Sequence, residues 1–581
     1  MGEYFARLEL TTKRLELIQI LADLYGEIQD SKTARQITYL LQGRVAAFYE
    51  PVEFGLADRL MERSIAHALG CELGIVEQKS KETGDLGKAI EQLYVISETN
   101  KHRLKVIDVF EVLQKITMTS GEGSVERKID LLSSLLREAS AMESKYIVRI
   151  VSGTLRLGVG DVTVLEALAQ AKLDDRKLRG ELERVYNEVS DLGEIAEVLF
   201  QFDSVTERLH KVKGMKLRVG RPLRSELCER LPNAEKTIAK MGEVVAQFKY
   251  DGFRTQMHLD RKQNVVRLFS RNLEETTHAF PELIAALLSQ VDAESVILDS
   301  EAIAYLVESD EFLPFQETTK RRRKHDIEEV AEKLPLRAFV FDILYLNGES
   351  MLEKSVTERM EILRKVIKNE VEEDTLIVSE SRIIGKSDEL QLMLDEALTK
   401  RLEGVVLKKV DSPYEAGARN FNWVKLKHTA SSHMRDTIDC VVLGYIFGRG
   451  KRTTFGVGAL LVGVYDKSRD MFVSISKIGT GLADREWIEV RERCDKLQST
   501  LRPARVESDI VPSVWVEPSV VIEVLCDEIT RSPLHTAGRT LEEPGYALRF
   551  PRLISFRDAD KRAEDATTVE EIIELYKMQG Q

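Results

Sequence analysis

Near residue 215 the hydrophobic rhythm of this chain changes, and one core cannot serve both sides of the change. Before it, apolar residues recur three and four positions apart, as in TARQITYLLQGRVAA and SVERKIDLLSSLLREASAMESKYIVRIVSGTL. That period places a single apolar stripe along a helix. Pro51 is the only proline before Pro222, and Ser, Asp and Thr stand near the expected helix starts. RLGVGDVTVLEALAQA reads as a helix, a Gly-broken turn and a second helix capped by Asp161 or Thr163. A basic connector, KVKGMKLRVGRPLRSELCERLPNAEKTI, follows, punctuated by Gly214, Gly220 and Pro222. Beyond it, strand-like runs (VVAQFKYD, VVRLFSR, SVILDSEAIAY, RAFVFDILYLNG, EGVVLKKV, NWVKLKH) alternate with helical ones (TERMEILRKVIKNEV, SDELQLMLDEALTKR). This mixture predicts an α/β or α+β domain. After about residue 435 short strands with Gly-rich turns predominate, which predicts a small barrel closed by a terminal helix over TVEEIIELYKM. The length of 581 residues independently asks for three or four domains.

Composition removes several classes. No apolar run approaches the roughly 20 residues that span a bilayer. The first residues, MGEYFARLELTTKRLE, lack the apolar core of a secretory signal, so a cytoplasmic location is expected. Five cysteines (Cys71, Cys228, Cys440, Cys494, Cys526) lie far apart without a C-x-x-C pair, against a zinc cluster or a disulfide framework. A net charge of −13 argues against a nucleic-acid partner only as a whole-molecule sum, because phosphate binding depends on where the cations stand.

The sharpest chemical signal is QFKYDGFRTQMH, residues 247–258. Lys249 ends a strand-like run, and Asp251 and Gly252 turn the chain so that the amine projects into a cleft. A lysine attacks phosphorus only when unprotonated, so a nucleophilic role requires neighbouring cations and partial burial to lower its pKa. Taken alone, K-x-D-G is more often a solvated strand end. It is followed, in order, by SRN with Arg271, LDSEAIAY with Glu301, FVFDILYLNG with Phe341, LEGVVLKK with Glu403 and Lys408, and YEAGARNFNWVKLK with Arg419, Lys425 and Lys427. Six such motifs in sequence make coincidence an inadequate explanation.

Together these motifs resemble those of the covalent nucleotidyltransferases, the superfamily of DNA ligases, RNA ligases and capping enzymes. The resemblance is closest to ATP-dependent DNA ligases of the archaeal and eukaryotic type, and it covers the whole chain. It implies a multidomain α and α+β protein: an all-helical DNA-binding domain (1–218), an adenylation or nucleotidyltransferase domain (219–432) and a C-terminal OB-fold barrel (433–581). ATP is implied as substrate and Mg²⁺ as cofactor. Lys249 is implied as the nucleophile that becomes Lys–AMP, and Gln247 and Phe341 as adenine contacts. Arg254, Arg271, Lys408, Arg419, Lys425 and Lys427 are implied as ribose or phosphate contacts. Glu301 and Glu403 would touch ribose or hold the metal, the alternative being a plain salt bridge to a neighbouring Lys or Arg. The segment LRFPRLISFRDADKRAEDATT resembles the family's last motif, so Arg557 and Lys561 would orient pyrophosphate. One extra residue separates them relative to the usual Arg-x-Asp-Lys, so either the turn bulges or the register differs. A hinge is expected near KHTASSHMRDT.

The implied partner is nicked double-stranded DNA, with a sliding clamp as a further candidate, for a monomer that touches no membrane. Basic stretches on all three domains (209–224, 318–326, 447–456, 477–481) would bind backbone phosphates, through Lys320, Arg321, Arg322, Arg449, Lys451, Arg452 and Lys477. Any one of them read alone is a solvated loop. RNA ligase or capping-type guanylyltransferase is the alternative reading, opposed by the long helical N-terminal region. The missing cysteine cluster opposes an NAD-dependent ligase, and the intact Lys249, Glu301 and Glu403 set opposes an inactive nick-binding clamp.

Overall fold

In the computed structural model the chain is described except for residues 95–103, 307–310, 313–317, 319–320, 322–330, 332–333, 369–373, 401, 428–436, 448–455, 480–481, 483, 527, 533, 558–559 and 580–581. It divides into two compact units. The first comprises Met1–Tyr186, Ser190–Met215 and Pro503–Arg505, the second Asn187–Val189, Lys216–Arg502 and Val506–Gln581.

The first unit is helical, as its periodicity requires. Arg14–Glu27 packs on Asp161–Lys172, Ser31–Leu41 on Leu192–Gln201, and Leu86–Tyr94 on Ala141–Val151. Local signals set the starts. Ser140 and Glu143 form a reciprocal capping box, and Asp191 accepts from the Glu194 amide while also taking the Tyr39 hydroxyl at 2.9 Å. The cap expected at Asp161 or Thr163 is instead Gly160, without a side-chain bond. Asp161 is already helical, and its carboxylate is engaged by Tyr186 at 2.7 Å and Gln42 at 3.1 Å. Tertiary partners therefore took the group that would have capped. The stretch TARQITYLLQGRVAA is helical only as far as Leu41, where Gln42 and Gly43, with φ at +69°, end it.

Two antiparallel sheets carry the first part of the second unit. One runs β1 (Leu227–Arg230), β10 (Arg419–Lys427), β9 (Gly404–Lys409), β2 (Val244–Lys249), β8 (Ser381–Ile384), and only its β1–β10 pair is parallel. The other runs β4 (Val265–Ser270), β3 (Phe253–Asp260), β5 (Ser295–Leu306), β6 (Leu336–Leu346), with β7 (Leu376–Val378) alongside β6. Apolar faces of Met257, Leu298 and Val340 bury the second sheet against the helices Pro281–Gln290 and Val356–Val366. Leu390, Met393 and Ala397 of Ser387–Thr399 cover the first. The β2–β3 turn at Tyr250–Gly252 passes the chain from one sheet to the other and puts Lys249 at the exit.

The rest of the second unit is β-rich. β11 (Thr437–Ile446) pairs with β12 (Ala459–Asp466) and with β14 (Val521–Leu525), β12 with β13 (Met471–Ile478), and β14 with β15 (Arg552–Phe556). The expected terminal helix spans Val569–Gln579. The expected hinge lies almost wholly outside the described residues.

Candidate active site

A cavity of about 450 Å³ opens where β2, β9 and β10 end, and its lining includes Lys249. Register explains how sequence-distant groups meet there. In the β9–β2 ladder Gly404 stands opposite Lys249, and in the β9–β10 ladder the same glycine stands opposite Lys427. Gly404 has φ of +147°, and a Cβ there would lie 2.2 Å from the Leu426 carbonyl oxygen. Only glycine lets three strands close so tightly. The preceding Glu403 thus reaches both lysines. One of its oxygens contacts the Lys249 ammonium, and the other lies 2.7 Å from Lys427 Nζ.

This pairing reverses the expectation for the resting nucleophile. Burial does press the Lys249 amine toward neutrality, but Glu403 and then Glu301 outweigh it and hold its pKa above the ordinary lysine value. Without a ligand Lys249 is an ammonium. Burial pushes the Glu403 carboxyl up, yet Lys249 and Lys427 win and keep it well below the usual range. Glu301 goes the other way, raised to about 7 by burial and only partly relieved by Lys249 and Arg254. For Glu403 the plain salt bridge is therefore the resting arrangement.

The wall toward β10 is cationic. Arg271, Arg419, Lys425, Lys427, Arg557 and Lys561 all line the cavity, as do Arg230 and the acids Asp439, Glu523 and Asp560. Burial, Arg230, Lys427 and Arg419 drive Lys425 well below the ordinary lysine value. Burial and Arg271 lower Arg419 to about 10, and Arg419 contacts Glu571 of the terminal helix. In the last motif the Asp560 and Lys561 amides both donate to the Arg557 carbonyl at 3.1 and 2.8 Å, and the two residues between lie outside the described ones. Arg557 is held by Asp560 at 2.7 Å and Lys561 by Asp439. Burial brings Lys561 down to about 8 despite Asp439. Crowded cations that depress one another are relieved by an anion, and a polyphosphate would supply it.

The opposite end is aromatic. The β5–β6 ladder pairs Asp299 with Asp342 and Ser300 with Val340, so Phe341 is an unpaired bulge residue. A bulge re-aims a side chain, here into the cavity. Phe341 meets Trp423 edge-on at 6.2 Å. Its carbonyl accepts from Lys408 Nζ at 2.9 Å and from Gln247 Nε2 at 3.4 Å. Lys408 is fully buried, 3.1 Å from Asp342 Oδ2 and 3.9 Å from the centre of the Trp423 ring, and Arg359 grips Asp342 at 2.7 Å. Its ammonium therefore braces the aromatic wall, away from the cationic one, because Asp342 and the Phe341 carbonyl already satisfy it. Arg254 is likewise clamped: Asp299 takes it at 3.1 and 2.7 Å, and Tyr414 donates to the same carboxylate at 2.9 Å.

Among the described residues no three His, Cys, Asp or Glu side chains converge as a closed metal cage. Two carboxylates, Glu301 and Glu403, beside a phosphate-shaped cationic wall do fit Mg²⁺, which takes one or two carboxylates together with phosphate and water oxygens.

Comparison with known proteins decides the family. The model described as "ATP dependent DNA ligase domain" matches residues 225–427, "DNA ligase N terminus" matches 1–169, and "ATP dependent DNA ligase C terminal region" matches 453–561. The chain belongs to the ATP-dependent DNA ligase family. A "Probable DNA ligase" of Dictyoglomus turgidum is 45% identical over 579 residues, covering 100% of this chain and 97% of the relative. A "DNA ligase" of Sulfolobus acidocaldarius is 36% identical over 593 residues, covering 99% and 97%. Among solved structures, mycobacterial DNA ligase D complexed with ATP and MES covers 59% of this chain and 97% of its own at 24% identity, with a TM-score of 0.34 that carries no argument.

Of the ligase site residues expected from sequence, the cavity gathers Lys249, Gln247, Arg254, Arg271, Glu301, Phe341, Glu403, Lys408, Arg419, Lys425, Lys427, Arg557 and Lys561. Among those expected at DNA, Arg321 is corrected. It is fully buried and ion-paired with Glu282, because one residue of the basic run turns inward under the helix Pro281–Gln290. Lys477 is exposed at the end of β13, while Lys320, Arg322, Arg449, Lys451 and Arg452 lie outside the described residues. Sequence reasoning missed Asp299, Asp342, Arg230, Trp423 and Asp439. Asp299, Asp342 and Asp439 carried a signal, as carboxylates interrupting apolar strands.

Proposed function

We propose that this protein seals 5′-phosphate, 3′-hydroxyl nicks in duplex DNA in three steps: Lys249 takes AMP from ATP, the AMP passes to the nick 5′-phosphate, and the 3′-hydroxyl displaces it. The carrying observation is the reach of Glu403 to both Lys249 and Lys427, beside a cationic wall and opposite the Phe341–Trp423 end. In this reading Phe341 and Gln247 take the adenine. The clamped Arg254 faces the ribose. Arg271, Arg419, Lys425 and Lys427 take phosphates. Glu301 and Glu403 hold Mg²⁺, which when bound neutralises phosphate charge. Lys408 supports Phe341 from behind, and Arg557 and Lys561 face the leaving pyrophosphate.

The chain works as a monomer in the cytoplasm, with a sliding clamp as candidate partner. Among the described residues no helix is long and apolar enough to cross a membrane. Lys477 and the basic stretches about 318–326 and 447–456, less Arg321, would contact DNA phosphates.

The test is incubation with α-labelled ATP and Mg²⁺. Wild-type protein takes up label that is lost in acid and kept in alkali, as a phosphoramidate requires, and Lys249→Ala takes up none. Nicked duplex then releases the label as AMP. Labelling from GTP but not ATP moves the reading to a capping-type enzyme.

A further inference from the structure

We infer that Arg230 is a further leaving-group residue, whose guanidinium holds the pyrophosphate as Lys249 takes the AMP. This rests on the ligase reading above. The balance of that step is simple. The P–N bond forms as the bond from the α-phosphorus to its bridging oxygen breaks, pyrophosphate keeps the electron pair, and an amine proton passes to water.

Arg230 ends β1, the one strand that joins the first sheet in parallel, and the register sets it opposite Lys425. It is 7% exposed and lines the cavity with Arg419, Lys425 and Lys561. Its Nη2 donates at 3.3 Å to the carbonyl of Thr437, the first residue of β11 and itself part of the lining. Two residues further on, Asp439 holds Lys561. Arg230 therefore stands between the lysines of β10 and the strand that positions Lys561. Its charge is felt there, as it contributes to lowering both Lys425 and Arg419. A nucleotide with its base against Phe341 and its α-phosphorus at Lys249 has its two terminal phosphates left to meet the cations gathered around Lys425 and Lys561. Arg presents a planar fork suited to two phosphate oxygens.

The experiment uses the full chain as wild type, Arg230→Gln and Arg230→Lys, and reads three rates: single-turnover adenylylation, reversal of purified Lys249–AMP by inorganic pyrophosphate, and sealing of a nick already carrying AMP. Loss of one charge-assisted contact predicts that Arg230→Gln slows adenylylation about 10- to 100-fold and raises the half-saturating pyrophosphate similarly, with sealing of the adenylated nick changed less than about threefold. Arg230→Lys recovers part of the loss as a point charge. Equal falls in all three rates make Arg230 a structural brace and overturn the inference, as does an unchanged pyrophosphate requirement. If Arg230→Gln does not fold, the pyrophosphate requirement of Arg230→Lys decides. A wild-type enzyme that takes no label overturns the ligase reading itself, and this inference with it.

Discussion

Replacing Asp342 by Asn tests whether the aromatic wall is held up by buried charge. Asp342 is 1% exposed and faces two fully buried cations, Arg359 at 2.7 Å and Lys408 at 3.1 Å. The amide keeps the shape and removes the one carboxylate that, among the described residues, bonds to both. Breaking one side of a buried ion cluster costs about 3–5 kcal/mol, because the remaining charges stay desolvated. Two neighbours soften this. Burial already lowers the Lys408 pKa, so it can shed its proton. Glu226, held up to about 8 by burial with Asp342 as a further cause, ionises more readily once that negative charge is gone. The lower part of the range is therefore expected, a fall in Tm on the order of 4–5 °C for a unit of this size. Because Lys408 also binds the Phe341 carbonyl, KM for ATP in the adenylylation assay should rise with it. Calorimetry on Asp342→Asn, Lys408→Met and the double variant provides the check. The double should lose less than the two singles added together, since it removes charge and counter-charge at once. A single variant losing under about 1 kcal/mol, or strict additivity, would refute the account.

Two further outcomes follow from the same geometry. Attack needs a neutral amine, and Lys249 in the resting site titrates above its ordinary value, so single-turnover adenylylation should climb with pH across roughly pH 6 to 9. Glu403→Gln should move that climb to lower pH, and a flat profile in the wild type would contradict the ion pair. Gly404→Ala should abolish adenylylation and destabilise the sheet by about 1–3 kcal/mol or more, from backbone strain and the clash with Leu426. Gly385→Ala, whose added carbon meets nothing nearer than 3.9 Å, should leave thermal melting and labelling as in wild type.

What the sequence made legible was local. Helical spacing before residue 215 and strand alternation after it are written within a few residues of each element, and so is the turn that ends in Gly252. The lysine at that turn was readable, but its proton was not. Glu403, which fixes the charge of Lys249, is 154 positions away and arrives only through the β9–β2 register. Arg230 escaped for the same reason, since a parallel pair with β10 leaves no mark in the sequence around it. The aim of Phe341 depends on a bulge defined by its partner strand. Arg321 misled because a run of cations looks uniformly solvated, while one member is pulled inward by a helix start nearly forty residues earlier. Gly160 stands at the cap because the Asp161 carboxylate is taken by Tyr186 and Gln42.

The clasp of Glu403 on Lys249 also bears on survival between turnovers. A lone pair open to the cleft invites cyanate and acyl donors, which would spend the enzyme irreversibly. Capped by its carboxylate, the side chain offers those small electrophiles nothing to react with. A visitor that brings enough negative charge to draw the lysines off Glu403 meets no such barrier, so the lock on the nucleophile doubles as its safeguard.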